Sequence, residues 1–353
     1  MGERKDAMLS YKEFEKAVVD TIRSYLPPDK MSADISVREI TRSNDRKAAA
    51  LLIREEGNRI TPNIYLEDYY KMYQQEENLD EILKSIADAY EQSRGISDKV
   101  FSINPFEFEN VKNKLYITVM NEALNTDYLA NKVHITIPGT DLSAVVRVMC
   151  SKEEHSSFAV SEEMAAQWDI SEDELYKLAL KNSERILPVI LRNMSDIVTE
   201  LSAGRLQNAY DSGESADWKL RPCQQYVLSN EDGLDGASAM LYEGVLKKIS
   251  EETGGNIFIL PSSLHELILM KDTGVVSVDE LQNTVMSINR SQVRPEDLLS
   301  DEVYYYDVKE QKLTMATDPE QTKIYQEQMD AGYEYANGSE PMQETDWDEE
   351  LER

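Results

Sequence analysis

The sequence predicts an α+β fold: two modules with mixed or antiparallel sheets, then a disordered acidic C-terminal tail. Three observations carry this. Short segments that alternate apolar and polar residues are interspersed with segments whose apolar residues recur every three or four positions. The alternating segments are joined by Pro- and Gly-bearing turns, as hairpins are. From Asp318 onward the apolar content falls away and acidic residues take over.

Ser10 and Glu13 have capping-box spacing, and Phe14, Val18, Ile22 and Leu26 then recur at helical spacing until Pro27 and Pro28 stop the helix. Strands are expected over 35–41, 49–54 and 60–66. In the third, Ile60, Pro62, Ile64 and Leu66 alternate with polar residues, and Pro62 suggests a sheet edge. A helix from Asn78 puts Leu79, Ile82, Leu83, Ile86 and Tyr90 on one face. A second helical stretch, after Gly95, leads to a strand over 115–119.

Val133, Ile135 and Ile137, then Pro138-Gly139, then the buried-looking run from Ala144 to Met149, predict a hairpin. Ser161 is placed to cap one helix, and Ser171 with Glu174 boxes the next. A strand over 226–229 leads through a Gly-rich turn into a helix carrying Leu241, Val245, Leu246 and Ile249, which Gly254-Gly255 ends. Strands follow at 256–260 and 265–270, then a helix boxed by Ser277 and Glu280, then a hairpin of 303–306 with 312–315. In Tyr304-Tyr305-Tyr306 the rings alternate faces, so at least one is expected at the surface.

The division expected is 8–125 as an N-terminal module, 126–203 as a middle hairpin with helices packed on the C-terminal module, 204–220 as a loop or linker, 221–316 as the C-terminal module, and 317–353 as the tail. From Asp318 there are twelve acidic residues against one Lys and one Arg, a net of −10 out of the chain's −30. That charge repels nucleic acid and anionic membrane, so neither is expected as a partner, whereas a basic protein remains open. The N-terminal MGERKDAMLS lacks the apolar centre of a signal peptide. No run approaches the ~20 apolar residues that cross a bilayer. Two cysteines, Cys150 and Cys223, make no disulfide framework, and a cytoplasmic setting is expected.

The segment Asn230 to Ser238, followed by LYEGVLKKISEETGGNIFILPSSLHELIL, with RPEDLLSDEVYYYD downstream and TPNIYLEDYYKMYQ upstream, resembles the domain-of-unknown-function 5688 family. The likeness covers roughly residues 8–316. With WDISEDELYKLALKN, the C-terminal half is also distantly similar to the domain-of-unknown-function 1444 family. The first resemblance, to a family of Gram-positive, mostly gut, bacteria, implies a bacterial cytoplasmic protein, accessory or mobile-element cargo, and no catalytic residue.

Phosphate-binding loops, dinucleotide fingerprints, nucleophile elbows and paired zinc-binding histidines are absent from the sequence. Neither a cofactor nor a metal site is expected; Leu234 and Asp235 stand at the wrong offsets for a calcium loop. His134 is placed on a strand facing solvent and His155 in a polar loop. His265 stands out, because it follows Pro261-Ser262-Ser263 at the start of a strand. Ser262 or Ser263 as nucleophile, His265 as base and Glu266 or Asp235 as orienter would make a small hydrolase, although neighbours on a strand point to opposite faces. The bland alternative is a turn whose serines bond backbone. Asp232, Gly233, Asp235 and Gly236 could line an anion site at a helix start, but their two carboxylates favour helix capping instead. A non-catalytic interaction protein is the favoured expectation. The alternatives are the hydrolase and an acidic mimic of nucleic acid bound to a basic protein.

Overall fold

The computed structural model describes residues 8–55, 61–102, 104–153, 156–203 and 225–317, without the side chains of 94–102. Ile60, His155, the expected linker over 204–220, Cys223 and the tail from 318 lie outside the described residues. The described chain is α+β, with three antiparallel sheets and helices on their faces.

The first sheet holds β1 (Asp34–Thr41), β2 (Lys47–Arg54) and the edge strand β3 (Ile64–Tyr65). The expected third strand is cut to two residues because Leu66 opens a helix, Leu66–Glu76, that the sequence reading left out. The helix Tyr11–Thr21 begins at its capping box, where the Ser10 N–H donates to Glu13 Oε2 at 2.9 Å. Phe14, Val18 and Ile22 meet Leu51, Ile53, Ile82 and Ile86 in one core. The helix Leu79–Ser102 runs on through Gly95, where two helices were expected. A glycine costs a helix interior only about 1 kcal/mol, too little to end a long one.

The second sheet holds β4 (Leu115–Asn121), β5 (His134–Thr136), β6 (Leu142–Ser151) and β7 (Ser156–Ala159), with β6 between β4 and β5 and also paired to β7. The boundary expected at residue 125 therefore falls inside a sheet: β4 is hydrogen-bonded to β6 from Leu115↔Val148 to Asn121↔Leu142. The helix Glu172–Ile186 covers the open edge of β4, and buried Ser183 accepts the Ile117 N–H at 3.0 Å. A strand edge is thus closed by a side chain rather than by another strand.

The third sheet has the order β13-β12-β10-β11-β9-β8. Its strands are β8 (Val189–Asn193), β9 (Gln225–Asn230), β10 (Ile257–Pro261), β11 (Leu267–Lys271), β12 (Tyr304–Asp307) and β13 (Lys312–Met315). Alternation sends Ile257 and Ile259 into a core with Leu246 and Ile249, and Phe258 and Leu260 into another with Leu281 and Val285. Tyr304 and Tyr306 join the first core and Tyr305 the second. With both faces covered, none of the three rings is exposed, contrary to the expectation of one at the surface.

The second and third sheets share that first core through Val119, Ile137, Leu142 and Ala144. Asp141, just before β6, accepts from the Tyr304 hydroxyl at 2.6 Å and the Ser300 hydroxyl at 2.7 Å. The first sheet docks through the tip of its β1–β2 hairpin, where Asn44 and Asp45 take positive φ (57° and 46°). Asn44 exchanges two hydrogen bonds with fully buried Asn125, and its Nδ2 donates to the carbonyls of Pro295 and Leu298. Asp45 accepts the N–H groups of Asp127 and Tyr128.

Candidate functional site

The Gly-rich turn and the Pro-Ser-Ser turn are clasped together. Fully buried Asn230 ends β9; its Oδ1 accepts the Asp232 N–H at 3.0 Å and its Nδ2 donates to the Leu234 carbonyl at 2.7 Å. Gly233 and Asp235 then bend the chain at positive φ. At Gly236 an added Cβ would lie 2.2 Å from Ser229 Oγ and 2.3 Å from the His265 carbonyl, so only glycine allows the approach. The Ser229 hydroxyl donates to that same carbonyl at 2.7 Å, and the Ala237 N–H donates to the Leu264 carbonyl.

His265 precedes β11 instead of starting it. Its Nδ1 accepts the Asp235 N–H at 3.2 Å, which leaves the ring proton on Nε2, 3.4 Å from Asp297 Oδ1. Asp297 is itself gripped by Arg294 at 2.7 Å. The histidine's carboxylate is therefore Asp297, a residue the sequence reading did not single out; neither Glu266 nor Asp235 provides it. The serines face other tasks. Ser263 Oγ accepts the His265 backbone N–H at 3.0 Å, and the Ser262 hydroxyl donates to Glu266 at 3.3 Å. Neither hydroxyl is bonded to the imidazole.

The binding candidates also divide. Asp232 pairs with Lys152 at 3.4 Å. Asp235 makes no capping bond with its side chain, correcting the expected capping role, and the turn it precedes is a 3-10 segment, Gly236–Leu241. The Asp235 carboxylate instead adds its field to the buried hydroxyls of Tyr242 and Tyr116. Burial pushes the Tyr242 hydroxyl up in pKa, and the negative field of Asp235 adds to that. Burial likewise raises the Cys150 thiol to about 11, so it is almost wholly protonated at neutral pH.

A second feature lies where the first and second sheets meet. A cleft of ≈ 570 Å³ is bounded by Arg42 and Tyr65 on one wall, and by Tyr128, Lys132, Arg147 and Ser157 on the other. Arg42 stacks over the Tyr65 ring at 4.3 Å, and Lys132 Nζ stands 5.7 Å from the Tyr128 ring centre. Arg147 donates from Nε and Nη2 to Ser157 Oγ (3.2 and 2.8 Å) and from Nη1 to the Tyr128 hydroxyl (3.2 Å). None of these cations was picked out from the sequence. The usable signal was a charge inside a buried run: Arg147 interrupts the apolar stretch Ala144–Met149. Arg42 and Lys132 carried no such mark.

Fold and site together define an antiparallel α+β chain with a clasped double turn and a cation-lined cleft, and without a nucleophile–base pair among its described residues. The chain belongs to the family described as "Family of unknown function (DUF5688)", which matches residues 11–308. No curated protein and no solved structure matches it significantly.

Proposed function

We propose that this chain is a non-catalytic binding protein of the bacterial cytoplasm, with a basic protein as its macromolecular partner. One observation carries the first half of this reading: Ser262 and Ser263 spend their hydroxyls within their own turn, and His265 Nδ1 ties that turn to the Gly-rich one. Charge carries the second half. The body and the segment from Asp318 are both acidic, and a basic surface is what such a chain attracts. Capture from a bacterial lysate compares the full chain with residues 1–317 at low and at high salt. The expected result is retention of basic proteins at low salt, reduced in 1–317 and at high salt. Equal retention by both chains at both salts contradicts it.

A second reading, the small hydrolase, is favoured by the Asp297–His265 contact, which has the form of an oriented general base. It lacks a hydroxyl bonded to the ring. In a broad ester and phosphoester screen, wild type and His265→Ala are expected to match the buffer rate. Turnover by wild type that His265→Ala abolishes would establish the hydrolase instead.

A further inference from the structure

We infer that the cleft between the first and second sheets is a binding site for a small phosphate-bearing molecule. Its cations are the first reason. Several basic side chains of this chain, of formal charge −30, find carboxylates: Arg46 with Glu296, Lys47 with Asp127, Arg192 with Glu200 and Arg294 with Asp297. Arg42, Lys132 and Arg147 make no ion pair among the described residues, yet all three are partly buried around one cavity. Three positive side chains lining one cavity favour an anion within it. Asp127 also borders the cleft, but Lys47 holds its carboxylate at 2.9 Å. Burial opposes the charge on Arg147, and the Tyr116 and Tyr128 hydroxyls and, after them, the Asp235 carboxylate favour it.

Donor geometry is the second reason. Arg147 is fixed by Ser157 and Tyr128, and Tyr116 also engages its guanidinium. A rotationally fixed guanidinium at the cavity wall suits the oxygens of a phosphoryl group. Arg42 rests over the Tyr65 ring, so it too is pre-positioned, and less side-chain entropy is lost on binding. The cavity is several times larger than a bare phosphate, within the range of small-molecule sites, and its Tyr65 and Tyr128 rings offer an apolar surface to the remainder of the ligand.

The net charge does not oppose this. Fields from exposed carboxylates are screened over about 8 Å at physiological ionic strength, so a compact anion inside the cleft feels chiefly its lining. A polymer such as nucleic acid would have to extend across the acidic surface. The site stands independently of any protein partner.

The test is calorimetric titration of the full chain with pyrophosphate, at an ionic strength held constant with sodium chloride. Saturable one-site binding is expected, with Kd raised about tenfold or more in the double variant Arg42→Gln/Lys132→Gln. That variant is the deciding one, because Arg147 also ties Ser157 and Tyr128 together and its loss would disturb folding. Its unliganded melting temperature should match wild type. Absence of saturable heat in wild type, or equal affinity in the folded double variant, overturns the site. Malonate binding more tightly than pyrophosphate overturns the phosphate assignment.

Discussion

Gly236 shows how one atom constrains the centre of the molecule. An alanine Cβ there would press on a side-chain oxygen of β9 and on a backbone carbonyl of the facing turn, and the carbonyl cannot rotate away. Gly236→Ala is therefore expected to cost about 1–3 kcal/mol, read as a lower denaturation midpoint in urea. A midpoint equal to wild type would show that the two turns are not clasped. The sequence marked Gly236 and His265 as notable, because glycine clusters and a lone histidine are visible in one dimension. It could not mark Asp297, whose approach to His265 is made by folding across an intervening helix. Nor could it show that Ser263 turns its hydroxyl to a backbone N–H.

Elements with local punctuation were the most legible. Ser171 with Glu174 and Ser277 with Glu280 each form the reciprocal bonds that the spacing predicts. Gly254 ends its helix at φ +78°, with its N–H donating to the Ser250 carbonyl. The helix Leu66–Glu76 escaped because Tyr65, not a polar capping residue, stands at its N-cap. The edge of β4 was beyond sequence reasoning, since its closure depends on one hydroxyl from a distant helix. Ser183→Ala leaves the buried Ile117 N–H unpaired and is expected to destabilise by about 1–3 kcal/mol. Ser171→Ala, an exposed cap, should cost only ~1 kcal/mol. Thermal melts of both variants check the order, and a smaller loss for Ser183→Ala would contradict the edge assignment.

At the scale of the whole molecule, the α+β class was readable from alternating and helical periodicities, and the grouping of strands into sheets was not. The hairpin tip at Asn44 reaches Asn125, Pro295 and Leu298, contacts spanning as many as 254 positions that no periodicity encodes. The same docking creates the cleft, because Arg42 stands at the base of that tip while Arg147 belongs to the second sheet. No helix among the described residues is long and apolar enough to cross a membrane.

The proposal joins ligand binding at this cleft to a purely structural role for the clasped turns. Parallel pyrophosphate titrations of His265→Ala and Arg42→Gln/Lys132→Gln, both shown to be folded, test it most directly. Wild-type affinity is expected in the first and loss of binding in the second. Binding lost in His265→Ala and kept in the double variant would contradict it.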